Sequence, residues 1–175
     1  MTRSLRVVWA LNELGIDAEI ETRVFDRPSL KSPEYLALNP LGKTPVFFDG
    51  DKRMVESTAI IQYLSEKYAD GRLSRKPSDP DFGALLQWLH FGEAGMGGYV
   101  NMLIAHSALL PEDQRNPEIK EWAAGETANC LNFLEMSLEG RDYLLGEFSI
   151  ADISIGYALF LIKITRNGKL FGDRV

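Results

Sequence analysis

The segment Asn39-Pro40-Leu41-Gly42-Lys43-Thr44-Pro45 brings a turn to the start of an apolar run. Proline has no N–H to give to a ladder, so Pro45 belongs at a sheet edge or a bend. If the Thr44–Pro45 bond is cis, the N–H and C=O of Thr44 face outward and can pair antiparallel with an extended peptide, as an added strand would. An ordinary trans bond at a strand edge is the simpler reading, since only ~5% of X–Pro bonds are cis. Further along, Glu56 and Ser57 stand at the start of a helical pattern. The free N–H groups and positive dipole end of such a start attract a carboxylate. Ile60 at the third helical position offers no reciprocal capping box, so the Ser57 hydroxyl can be shared with a ligand. Glu56 can accept hydrogen bonds from an amino group. Together the pair would hold the zwitterionic end of an α-amino acid. Read plainly, Ser57 is an N-cap and Glu56 a solvated charge.

Other reactive residue types carry less. Cys130 sits on the apolar stripe of a long helical pattern, where a thiol is usually buried and structural. His90 and His106 have no ligand-type partner at i, i+4, so no metal site is expected. Gly92, Gly95, Gly97 and Gly98 crowd one helical stretch. Each costs up to ~1 kcal/mol there, which marks a bend or a close approach between helices.

The elements that must position these groups follow from period and punctuation. Arg6 to Leu14 is almost continuously apolar and stops at Gly15, which reads as a buried helix with a C-cap. Ala18 to Phe25 alternates through Ile20, Thr22 and Val24, a strand pattern. Ser32 and Pro33 open a short helix to about Leu38. Pro45 to Phe48 and Arg53 to Val55 are strands joined at Asp49-Gly50, a hairpin signal. Ser57 opens a helix with Ile60, Ile61, Leu64 and Tyr68 on one face. After the Gly-, Ser-, Pro- and charge-rich stretch 69–80, the period is helical throughout. One helix is expected from about Asp81 to Ala108. A second runs from about Pro117 to Leu138, with Ile119, Trp122, Ala123, Cys130, Leu131 and Leu134 toward the core. A third runs from Ile150 to about Thr165, with Ser149 and Asp152 forming a capping box.

The 175 residues are 45% hydrophobic and 25% charged, the balance of a globular protein with a sizeable core. A net charge of -6, mildly acidic in both halves, leaves no basic face for nucleic acid. One cysteine forms no internal disulfide. No segment reads as a signal peptide or a membrane span, so a cytoplasmic protein is expected.

Taken in order, Thr44-Pro45 entering a strand, the Asp49-Gly50 hairpin, and Glu56 before Ser57-Thr58-Ala59-Ile60-Ile61-Gln62-Tyr63-Leu64 resemble the glutathione-binding half of the cytosolic glutathione S-transferases of bacterial type. Arg6-Val7-Val8-Trp9-Ala10-Leu11-Asn12-Glu13-Leu14-Gly15 resembles their first helix, and Phe148-Ser149-Ile150-Ala151-Asp152 the capping box of their sixth. The resemblance covers essentially the whole chain. It implies an α/β thioredoxin-like N-terminal domain over residues 1–68, a linker over 69–80, and an all-α C-terminal domain over 81–175. The family's first strand and its last helix or two have no counterpart, so Ile20 to Val24 is expected to lack a ladder partner.

The resemblance also implies roles. Thr44 would pair through its backbone with the cysteinyl unit of glutathione, with Pro45 cis. Glu56 and Ser57 would hold the γ-glutamyl end, and Lys43 would approach the glycyl carboxylate. The hydroxyl that activates the thiol would be Thr2, in the place of the family's serine, with Ser4 as second candidate. Lowering a thiol pKa from ~8.5 by ~2 units needs ~3 kcal/mol. One hydrogen bond to the thiolate, plus a helix N-terminus, can supply that. Phe91, Met96 and Tyr99 would line an apolar electrophile pocket. The implied activity is conjugation of the glutathione thiolate to electrophilic, apolar substrates, in a homodimer, with glutathione as co-substrate and no metal. The alternative is a non-catalytic glutathione-binding protein or interaction module of the same fold.

Overall fold

Helix α1 (Ser4–Leu14) forms where the apolar run predicts it, burying Val7, Ala10, Leu11 and Leu14 along one stripe. The computed structural model describes residues 2–24, 26–165, 167–172 and 175; Met1, the first residue of the expected N-terminal domain, and Phe25, the last of the expected strand, lie outside them. The chain divides into two units between Ser74 and Arg75, within the stretch 69–80.

In the N-terminal unit α1 packs against α4 (Ser57–Tyr68), whose Ile60, Ile61 and Leu64 are buried. Each such side chain contributes roughly 1.5–3 kcal/mol when enclosed. Tyr68, expected on that face, is instead largely exposed. A short helix α2 (Arg27–Leu30), capped by Asp26, precedes α3 (Pro33–Leu38), capped by the Ser32 hydroxyl. The Thr44–Pro45 bond is cis. Strands β1 (Phe47–Asp49) and β2 (Lys52–Met54) form an antiparallel hairpin pairing Phe47 with Met54, Phe48 with Arg53 and Asp49 with Lys52. Asp49 then fastens the hairpin to α4. The Tyr63 hydroxyl donates to its carboxylate at 2.5 Å, and the Lys67 ammonium donates to the same oxygen. The Lys67 hydrogen bond, backed by the tyrosine hydroxyls, holds the Asp49 carboxyl well below the usual carboxylate range.

The alternating stretch 18–24 is not a strand, and Ile20 and Val24 are exposed. A strand needs a ladder partner, and among the described residues the sheet consists of β1 and β2 alone.

The C-terminal unit is all helical. The helix expected over 81–108 is broken into α5 (Phe82–His90), a widened π-type turn at Phe91–Gly95, α6 (Gly97–Ile104) and a second wide turn at Ala105–Leu109. The glycines explain the first break. A Cβ on Gly92 would lie 2.5–2.9 Å from atoms of Ser154, so the absence of a side chain lets the helix that carries Ser154 pass close by. Helix α7 (Pro117–Ser137) starts at Asn116, whose side chain accepts from Glu118 and Ile119 N–H. Trp122, expected in the core of α7, is 54% exposed, whereas Ala123, Cys130, Leu131 and Leu134 are buried. Helix α8 (Ile150–Ile164) opens with the predicted box of Ser149 and Asp152. Among the described residues no helix is long and apolar enough to cross a membrane.

Candidate functional site

Asn39 organises the loop that delivers Thr44. It is 2% exposed. Its amide donates to the Lys43 carbonyl at 2.7 Å, and its side-chain oxygen accepts from Leu41 N–H at 3.1 Å. The Tyr35 hydroxyl donates to the same carbonyl at 2.9 Å; burial pushes the Tyr35 phenol up in pKa, with Arg23 pulling weakly the other way. Gly42 makes the turn at φ 58°, where a Cβ would sit 2.5 Å from the Leu30 carbonyl oxygen, so only glycine fits. The Lys43 side chain is exposed. Thr44 follows on a carbonyl held from two sides. Among the described residues no backbone group pairs with the backbone of Thr44, and its Oγ1 is buried without a partner.

Continuing the hairpin register outward faces Val46 with Val55 and Pro45 with Glu56. Thr44 and the Glu56-Ser57 corner therefore lie at the same end of the hairpin. Glu56 turns that corner at φ 72°, a conformation that costs of order 1–3 kcal/mol for a residue with a Cβ. Its side chain is exposed, while Ser57, the first residue of α4, is 3% exposed. The Ser57 Oγ accepts from Arg6 Nη1 at 3.2 Å. That bond ties the first turns of α1 and α4 together, and Thr2 and Ser4 lie at the same end of α1. Thr2 is half-buried, and its Oγ1 accepts from Ser4 N–H at 3.3 Å; Ser4 is the first residue of the helix. Both hydroxyls thus stand at a positive helix end.

Arg6, Asn39 and Tyr35 were not singled out as site residues by their pattern. The signal for Arg6 was present: an arginine at the head of an otherwise apolar stripe, and it is 1% exposed. Asn39 was read only as a turn residue.

The candidate pocket residues all lie in the helical unit and differ among themselves. Phe91 is half-buried and packs edge-on against Trp88 and Phe133, with ring centroids 5.5 and 5.6 Å away. Tyr99 meets Trp122 at 5.4 Å. Met96 is fully enclosed by the core of its unit, which corrects its expected place in a pocket wall: a wholly covered side chain leaves no surface for a ligand. Cys130 is buried, and burial, helped by Glu126, pushes its thiol up in pKa. Among the described residues no group of His, Cys, Asp and Glu could hold a metal, and His106 Nδ1 is taken up accepting from Asn116 N–H at 3.1 Å.

Residues 1–67 match the model of the glutathione S-transferase N-terminal domain. Glutathione S-transferase 1 of Schizosaccharomyces pombe is 35% identical over 176 residues, covering 94% of this chain and 73% of the relative. The chain belongs to the glutathione S-transferase family. Among solved structures, a glutathione transferase from Burkholderia graminis with two glutathione molecules bound per subunit superposes with a TM-score of 0.84 at 29% identity, over 96% of this chain and 72% of that one. The glutathione transferase URE2P6 of Phanerochaete chrysosporium, in complex with oxidised glutathione, gives 0.80 at 31% identity, over 96% and 81%. The architecture is that of glutathione transferases, a thioredoxin-like N-terminal unit followed by an all-α unit.

Proposed function

We propose that the protein binds glutathione in extended form along Thr44 and transfers its sulfur to electrophilic, mainly apolar substrates. The observation that carries this reading is the meeting, at one end of the hairpin, of a Thr44 backbone unpaired among the described residues with a helix start bearing Ser57 and a strained Glu56. Two polar groups there fit the tripeptide. The buried Thr44 Oγ1 has no partner, and the Ser57 hydroxyl proton has no acceptor among the described residues. The Thr44 N–H and C=O pair with the cysteinyl unit. The helix start and Ser57 take the γ-glutamyl carboxylate, Glu56 takes its amino group, and the exposed Lys43 approaches the glycyl carboxylate.

Chemistry then requires little more than ionisation. The thiol proton leaves to water. The Thr2 hydroxyl, or that of Ser4, donates to the sulfur and favours its charged form, which lowers its pKa. The thiolate electron pair makes the new C–S bond, and the leaving group departs with the pair of the bond that breaks. Phe91 and Tyr99 supply apolar wall for the substrate in the helical unit. The same reading includes a homodimer, a detoxifying role and a cytoplasmic location; sedimentation velocity tests the dimer.

The decisive test is an absorbance titration of the thiolate in the glutathione complex. An apparent pKa ~2 units below the free thiol's ~8.5 is expected, and Thr2→Ala moves it back up with turnover falling more than affinity. A bound thiol that titrates like the free one overturns the transferase reading and leaves binding standing.

A further inference from the structure

We infer that Arg6 is a positioning residue for this site: from its buried place on α1 it turns the Ser57 hydroxyl into a donor aimed at the carboxylate of the γ-glutamyl end. The inference rests on the glutathione reading above.

A guanidinium has five N–H donors and no acceptor, whereas a serine hydroxyl has one proton and two lone pairs. When Arg6 Nη1 donates to Ser57 Oγ at 3.2 Å, a lone pair of that oxygen is engaged. The hydroxyl proton must go elsewhere, and among the described residues nothing accepts it. In the first turn of α4 the Ile60 N–H is taken by the Glu56 carbonyl at 3.0 Å, while the N–H groups of Ser57, Thr58 and Ala59 lack intrahelical acceptors beside that hydroxyl. Donors without acceptors at one point, with a cation behind them, are complemented by an anion carrying two oxygens. An amide or an alcohol would satisfy fewer of them. The placement is also expensive. Arg6 is 1% exposed on the stripe that otherwise buries Val7, Ala10, Leu11 and Leu14. An arginine so enclosed is tolerated only with firm partners, and an apolar residue would serve α1–α4 packing as well. Packing alone therefore does not account for it.

Binding of two peptides separates positioning from mere support of the fold. One is glutathione; the other is 4-aminobutyryl-cysteinylglycine, which keeps the backbone and thiol but lacks the γ-glutamyl carboxylate. Calorimetry on the wild-type chain and on Arg6→Met gives two affinities each. Arg6→Met is expected to weaken glutathione about tenfold or more, one charge-assisted hydrogen bond's worth, and to change the analogue less than about twofold. Equal weakening of both peptides, or unchanged glutathione affinity, overturns the inference. Should Arg6→Met not fold, Arg6→Gln carries the same ratio test, and the ratio cancels any general loosening. Wild-type protein that binds neither peptide refutes the glutathione reading itself, and the inference falls with it. Wild-type binding with an unchanged ratio in the variants refutes only the role of Arg6.

Discussion

Asn39→Ala separates the loop from the site it serves. The substitution removes two side-chain hydrogen bonds, to the Lys43 carbonyl and from Leu41 N–H. The carbonyl keeps the Tyr35 hydroxyl at 2.9 Å, so it is not orphaned, and its share of the loss is about 1 kcal/mol. Leu41 is exposed, so water replaces the lost acceptor at about 0.5–1 kcal/mol. With a small void left by the truncated side chain, the total is about 2 kcal/mol. At about 2–4 °C per kcal/mol for a chain of this size, the melting temperature falls by about 4–8 °C. Thr44 then follows a carbonyl held from one side only. Glutathione affinity should fall by about threefold to tenfold, up to one backbone hydrogen bond's worth. Differential scanning calorimetry gives the first number, and titration calorimetry well below the melting temperature gives the second. A clear loss of stability with unchanged affinity would refute the link between the Asn39 loop and the site. Unchanged stability would refute the account of the loop itself.

Glu56→Gly relieves a positive φ while deleting the carboxylate; stability should hold or rise by up to about 1 kcal/mol as glutathione affinity falls, read by urea unfolding beside calorimetry. Asp49→Asn should destabilise the protein at neutral pH. The Lys67 hydrogen bond depresses the folded pKa of Asp49 below its ordinary 3.8, so its stabilisation is present above that value and fades as pH falls through the folded one. The gap between the urea midpoints of wild type and variant should therefore shrink on acidification, and a gap that widens contradicts the pairing. Gly92→Ala forces a methyl to within 2.8 Å of the Ser154 backbone, and overpacking of about 1–3 kcal/mol should lower the melting temperature by several degrees. An unshifted melt would mean that α8 can move aside freely.

Much of the fold was legible because its signals are local. Ser32-Pro33, the start at about Pro117, and Ser149 with Asp152 mark helix starts through contacts within three residues, and the structure has all three. The apolar stripe of α1 and the Asp-Gly hairpin are legible for the same reason. The errors fall where the outcome depends on what lies alongside. Ile20, Thr22 and Val24 carry a strand pattern, but pairing needs a neighbour and none is found among the described residues. The helix over 81–108 keeps its period while Phe91–Gly95 widens, because α8 presses on Gly92 from outside the segment. Trp122 matches a core position by spacing, yet it meets only the edge of α6 through Tyr99 and stays 54% exposed.

The site divides along the same line. The residue types at Thr44, Pro45, Glu56 and Ser57 already stated what chemistry was on offer, since an edge backbone and a helix start are properties of short stretches. That they share one end of a hairpin, and that Arg6 reaches Ser57 across 51 residues of chain, came only with the tertiary structure. Local conformation is set by neighbours within a turn or so. Which ends meet is decided by the burial of Leu11, Leu14, Ile60, Ile61 and Leu64 against one another, an energy that belongs to the packed pair of helices and to neither sequence segment alone.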